Sequence, residues 1–219
     1  KGYKEMVIKA QIGASGIGMV KLSTESYKTN DIPEHLFFEG PCMVQGWLDE
    51  TTANVRHLGS PSVQMFLDDD TVTLYDITEQ ILSNDSIHEG NMSPPPYFSP
   101  GGYIHEELLR QSTSAGAWLH EQGYRGTASI DFLVVDRLGI IEVRACEINA
   151  RVTGATYPSV LARYFKPHGA WVMRNLRFIL PLRDTSILEV LDKTGKLFHP
   201  GLETGIMPVN FNLDETSGI

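Results

Sequence analysis

"ASIDFLVVDRLGIIEVRACEINARVTG", residues 128–154, holds two largely apolar runs joined by a short break at Arg137–Gly139. Runs of this length around a Gly-containing break predict two β-strands and a tight turn. Side chains alternate along an extended strand, so Glu147, Asn149 and Arg151 fall on one side and Cys146, Ile148 and Ala150 on the other. On the preceding strand Asp131 interrupts an apolar run, where an unpaired carboxylate is costly. Two readings stand side by side. A half-exposed antiparallel sheet alternates polar with apolar residues for packing alone. Alternatively, two carboxylates and an amide carbonyl facing one point are hard oxygen ligands suited to Mg2+, which keeps several waters and bridges to substrate phosphates. Arg151 would then offer a planar fork of donors to a transferring phosphoryl group.

Working outward, residues 103–123 predict a helix: Ile104, Leu108, Ala115, Trp118 and Leu119 recur at helical spacing and Gly123 closes it. Upstream, "SVQMFLDDDTVTLYDITEQIL" predicts a long hairpin turning at Asp68–Asp70, and these acids read as turn residues rather than a metal site. Residues 83–102 carry four of the twelve prolines and no periodicity, which predicts a long loop, poorly ordered and lying over the site as a lid. Downstream, helices are predicted at Ala155–Phe165, Ala170–Phe178 and "SILEVLDK", and a last strand at "GIMPVNF". Trp118 and Trp171 read as helical core residues.

Near the start, "VIKAQIGASGIGMVKL", residues 7–22, reads as strand, glycine loop, strand, with strands at 5–10 and 18–22. A Walker loop requires Lys and Ser/Thr after its last glycine, and the dinucleotide fingerprint runs G-x-G-x-x-G into a helix; neither fits Gly13, Gly16 and Gly18. An ordinary hairpin and a flap whose backbone N–H groups cover a polyphosphate both remain open. A third strand, Cys42 to Leu48, follows a short helical stretch.

The chain has 219 residues, 42% of them hydrophobic, enough to bury a sizeable core as one domain or two lobes. A net charge of −9 argues against a nucleic-acid or anionic-membrane surface. Two cysteines, Cys42 and Cys146, do not make a disulfide framework and point to a reducing cytoplasm. The seven histidines lack zinc-site spacing. The chain opens at Lys1 and reaches a strand within a few residues, which reads as a piece of something longer.

Together, the lysine within a strand, the glycine loop, "VQGWL" and the Asp…Glu-x-Asn-x-Arg pair resemble the ATP-grasp superfamily. Within it, "EINARVTGATYPSVLA" with "ITEQIL…HEGNMSPPP" is most similar to carboxylate–amine ligases of the pheganomycin peptide-ligase type. The resemblance implies an α+β fold of two lobes gripping ATP, a small one over 1–47 and a large one over 48–219, truncated at the N-terminus. It implies that Lys9 holds the α/β-phosphates and that Gly13, Ser15, Gly16 and Gly18 close over the β/γ-phosphates. Gln45, Gly46, Trp47 and Leu48 would form the adenine hinge, with Asp49 or Glu50 as candidate ribose acids. Asp131, Glu147 and Asn149 would bind Mg2+ or Mn2+, and Arg151 would be catalytic, stabilising the acyl-phosphate and tetrahedral intermediate. The substrates implied are a small-molecule carboxylate and an amine, an amino acid or peptide. A catalytically silent nucleotide-binding or interaction domain is the alternative, and a phosphotransferase with another acceptor a weaker third.

Overall fold

The computed structural model describes residues 3–14, 17–48, 52–83, 88–176 and 187–209. Its first sheet contains β1 (Glu5–Ala14), β2 (Ile17–Ser23) and β3 (Met43–Gly46) in the order β2-β1-β3, all antiparallel. Val7 and Ile8 of β1, on opposite faces of the strand, are both buried, as is Leu36 of a short 3-10 turn. The first hairpin is tighter than the glycine content predicts. β1 extends to Ala14, which pairs with Ile17, so Gly13 and Gly18 are strand residues. Ser15 and Gly16 lie outside the described residues.

The second sheet holds β4 (Val55–Gly59), β5 (Pro61–Leu67), β6 (Val72–Leu82), β7 (His88–Ser93), β8 (Gly126–Arg137), β9 (Ile140–Asn149) and β10 (Trp171–Arg174). The strands run β10-β7-β6-β5-β8, with β9 on the far side of β8. β4 and β5 lie end to end along β8, opposite Val134–Arg137 and Gly126–Asp131 respectively. Local chemistry explains the turns. Asp68 Oδ1 accepts from the backbone N–H groups of Asp70 (2.9 Å) and Thr71 (2.7 Å), closing the β5–β6 hairpin. These donors hold the Asp68 carboxyl below its ordinary range. The β8–β9 turn places Leu138 and Gly139 at φ of 55° and 83°. Both values belong to the left-handed region that a two-residue hairpin demands.

Cross-strand partners share a face. Val63 opposes Ile130 and Met65 opposes Ala128; with Leu67, Phe132 and Val134 they form the core. Against this face packs α1 (Tyr103–Glu121), burying Leu108, Ser112, Gly116 and Leu119. Gly123, at φ 84°, ends the helix: its N–H donates to the His120 carbonyl and that of Tyr124 to the Leu119 carbonyl, capping two orphan carbonyls. On the opposite face Ser62 opposes Asp131, and Gln64 opposes both Ser129 and Asp76. There α2 (Thr156–Phe165) is anchored by Arg163, which donates to Asp76 Oδ1 (2.9 Å) and Ser93 Oγ (2.9 Å).

Four expectations are corrected. Residues 88–93 are not a loop but β7, flanked by β6 and β10, so they cannot form a lid. The segment expected to be a helix from Ala170 begins as β10, and residues 177–186 are not described. Trp171 is accordingly a strand residue, its Nε1 donating to Asp76 Oδ2 (3.1 Å), whereas Trp118 is exposed on α1. Over the described part of the expected last strand, residues 205–209, Ile206 forms a single parallel bridge to Leu197.

The chain divides into compact units Lys1–Arg174 and Asn175–Ile219. In the second, α3 (Ile187–Lys193) buries Leu191, whose carbonyl accepts from Lys196 and Leu197. Among the described residues, no helix is long and apolar enough to cross a membrane.

Candidate active site

β8 and β9 bring the expected acidic group together. Asp131 stands directly opposite Glu147, and Ser129 opposite Asn149. Asn149 is buried, and its Nδ2 donates to Asp131 Oδ2 at 3.1 Å. Ser62 Oγ donates to the other carboxylate oxygen, Oδ1, at 2.7 Å. Burial pushes the Asp131 carboxyl above its ordinary range, and the charge of Glu147 adds to the rise, while the Ser62 and Asn149 donors oppose it. This donor set suits a divalent cation. Two neighbouring carboxylates, one desolvated, concentrate negative charge, and with its Nδ2 committed to Asp131, Asn149 has its carbonyl oxygen left to offer. Among the described residues no three His, Cys, Asp or Glu side chains gather as a metal group, so the amide and nucleotide oxygens would have to complete the shell.

The strict alternation expected along β9 breaks at a bulge. Asp131 pairs with Glu147 but Phe132 with Ala145, leaving Cys146 as the extra residue. The bulge brings the Cys146 thiol within electrostatic reach of Asp131 and Glu147, instead of turning it to the far face. Burial is the main reason this thiol is pushed up, and Lys9 is the strongest influence in the other direction. Lys9, central in β1 between Met19 and Met43, thus acts on the same point as the two acids. Both cysteines are free thiols.

Arg151 lies beyond the end of β9, so strand alternation does not govern it; it is exposed, and its Nη1 donates to the Val152 carbonyl at 3.3 Å. In the stretch expected to form the hinge, Gln45 opposes Val7 on β1, and the Tyr3 ring packs so closely on Gly46 that a Cβ there would sit 2.7 Å away. The N–H of Trp47 donates to the Glu5 carbonyl, and its carbonyl accepts from Thr52 Oγ1. Lys21 lies 4.8 Å from the Trp47 ring centroid and also pairs with Glu5 at 2.7 Å. Leu48 is half-buried, and the ribose candidates Asp49 and Glu50 fall outside the described residues.

Sequence reasoning missed several neighbours of the acids. Ser62 and the fully buried Gln64 stand behind Asp131, and Thr153 reaches Gln64 from the turn after β9. His88 packs against Gly154, donates from Nε2 to Asn91 Oδ1 at 2.6 Å, and lies within electrostatic reach of Asp131. A small polar residue within an apolar strand was the one available hint for Ser62 and Gln64.

No protein-family model matches the chain. It is 30% identical over 160 residues to the butirosin acyl-carrier protein–L-glutamate ligase of Niallia circulans, a match covering 71% of this chain and 35% of the relative. The chain therefore spans about a third of the length of the curated relative it matches. Among solved structures it is similar to Campylobacter jejuni biotin carboxylase in a β,γ-ATP complex, with TM-score 0.50 and 18% identity over 72% of this chain and 33% of that one. Rhizobium etli pyruvate carboxylase gives TM-score 0.51 and 15% identity over 74% of this chain and 14% of that one. The two antiparallel sheets flanked by helices are those of an ATP-grasp protein. The chain has the ATP-grasp fold.

Proposed function

We propose that this chain is the nucleotide- and metal-binding part of an ATP-dependent carboxylate–amine ligase of the peptide-ligase type, with residues 1–47 as its small lobe and 48–219 as its large one. The observation that carries the reading is the pairing of Asp131 with Glu147 across β8 and β9, with Asn149 donating to Asp131 and the charge of Lys9 reaching the same point. Lys9 would neutralise the α/β-phosphates, and the β1–β2 hairpin would lie over the β/γ-phosphates with its backbone N–H groups. Because both backbone polar groups of Trp47 are committed, the hinge would read the base edge through its neighbours. Bound Mg2+ would neutralise the charge on the transferring phosphoryl group. Asp131, Glu147 and Asn149 would hold that ion, and Arg151 would swing from its exposed position to stabilise the charge on the acyl-phosphate. Attack by an amine then yields an amide, ADP and phosphate.

The test has a binding arm and a turnover arm. Calorimetry with ATP and Mg2+ should show weak, metal-dependent binding, lost in Glu147→Gln, which is nearly isosteric but removes one ligand charge. Metal-dependent binding that is equal in Glu147→Gln and the parent would sink the metal assignment. For turnover, phosphate release is followed against a panel of amino acids and peptides. The panel includes L-glutamate, because the name of the Niallia relative pairs that amino acid with an acyl-carrier protein. We expect no amide from this stretch alone, since it spans about a third of that relative. Phosphate release that needs an added amine would separate ligase from phosphotransferase, and binding without turnover even when joined to the remainder of a ligase would favour a silent domain.

A further inference from the structure

Behind the acidic pair runs a directed chain of hydrogen bonds that no ligand-contacting role explains. Gln64 is fully buried, and its Nε2 donates to Ser62 Oγ at 2.8 Å. An amide N–H can only donate, so the serine oxygen must accept there and its own proton is left for Asp131 Oδ1, 2.7 Å away. Asn149 Nδ2 fills one acceptor position on Oδ2, so each oxygen of Asp131 has one donor from the protein and a lone pair left over. The other end of the Gln64 amide, Oε1, accepts from Thr153 Oγ1 at 3.4 Å, and Thr153 is two residues beyond Arg151. Thr153 is itself fixed to the start of α2, its N–H donating to Thr156 Oγ1 at 3.0 Å.

We propose that Gln64 is a positioning residue that, through Ser62, sets the orientation of the Asp131 carboxylate toward a divalent cation and ties it to the turn carrying Arg151. The inference deepens the proposed function and rests on it. The physical reason is direction. Were a residue that only accepts at position 64, the Ser62 proton would turn back toward it, and Asp131 Oδ1 would lose its donor and swing free. A buried polar residue that merely filled space would be replaceable by an apolar one of similar volume without consequence for the metal.

Mn2+ binding to the ADP complex of this chain, read by the EPR signal of the free ion, tests this without any turnover. Gln64→Leu, Gln64→Glu and Ser62→Ala should each weaken Mn2+ binding by about tenfold or more, as loss of an outer-shell partner does, while affinity for metal-free ADP stays at the parent value. Ser62→Thr keeps the hydroxyl and should keep the Mn2+ affinity. A purely structural role would lower both affinities together. If the Gln64 variants do not fold, the Ser62→Ala and Ser62→Thr pair decides. Parent-like Mn2+ affinity in folded Gln64→Leu and Ser62→Ala, with Glu147→Gln impaired, overturns the inference alone; absence of metal-dependent ADP binding in the parent overturns the site reading and this inference with it.

Discussion

Glu79 shows what a single half-buried acid does to this molecule. On β6 it accepts from the Ser60 backbone N–H (2.7 Å) and from Tyr97 Oη (2.6 Å). Burial nevertheless pushes its carboxyl above the ordinary value of 4.5, with both donors opposing the rise, and pushes the Tyr97 phenol above its usual range. Below 4.5 both folded and unfolded states hold the proton, so the stabilising contribution is complete there. As pH rises, the unfolded chain ionises first, and stability falls until the folded group ionises too. Glu79→Gln, whose amide can serve both neighbours once the Tyr97 hydroxyl turns, removes that loss. The urea midpoint of the variant relative to the parent should therefore rise between 4.5 and neutral pH; a constant difference would show that Glu79 does not titrate differently on folding. At the site itself Arg151→Lys keeps the charge but loses the fork. We expect it to bind ATP like the parent, and to fail in amide formation once the stretch is joined to the rest of a ligase. Residues of this kind are legible to different degrees. Asp131 interrupts an apolar run and so declares itself, whereas Gln64 reads as one polar position in a strand until its buried partners are known.

Among the elements, the β8–β9 hairpin and the β7–β10 pair make opposite cases. The hairpin is local, but its turn holds Leu138 at φ 55°, a conformation that disfavours leucine. Leu138 is 76% exposed, so nothing but the backbone decides the substitution there. Leu138→Asn should stabilise the chain by about 0.5–1 kcal/mol in urea unfolding, because Asn-Gly is the favoured pair for such a turn. No change in midpoint would mean the turn is not strained. Across the sheet, β7 approaches β10 so closely that a Cβ on Gly90 would lie 2.1 Å from the Met173 carbonyl oxygen. Gly90→Ala should therefore separate the two strands and lower the melting temperature, with faster amide exchange confined to β7 and β10. Exchange at parent rates there would show that the approach relaxes at no cost. Neither strand was legible. "HEGNMS" has little β-propensity and "WVMR" is too short to show a period; each is a strand only because a partner lies beside it.

For the molecule as a whole, apolar burial is unevenly shared. The core of Val63, Met65, Leu67, Ala128, Ile130, Phe132 and Val134 beneath Leu108 and Leu119 belongs to the second sheet and α1. In the first sheet, with its adjoining turn, Val7, Ile8 and Leu36 are the buried apolar side chains among the described residues. Opening free energies follow such differences. Hydrogen exchange should show β1, β2 and β3 opening well before β5 and β8; uniform protection would show that the two sheets unfold as one. Leu108→Ala, at a fully buried position of α1, should cost about 2–5 kcal/mol in global stability.

What the sequence by itself determined is what rests on neighbours along the chain: α1 with its closing glycine, the Asp68 turn, and the pairing of β8 with β9 through a short turn. The hydrophobic period and short turns specify these because their partners are close in sequence and pair with little loop entropy. Only the tertiary structure decided that β7 and β10 are strands, that a bulge brings Cys146 toward the acids, and that Ser62 stands behind Asp131. Ser62 and Asp131 are 69 residues apart, and their contact exists only because β5 and β8 pair across the intervening β6, β7 and α1. Pairing over that distance is chosen by the burial of a shared face, which no local pattern records.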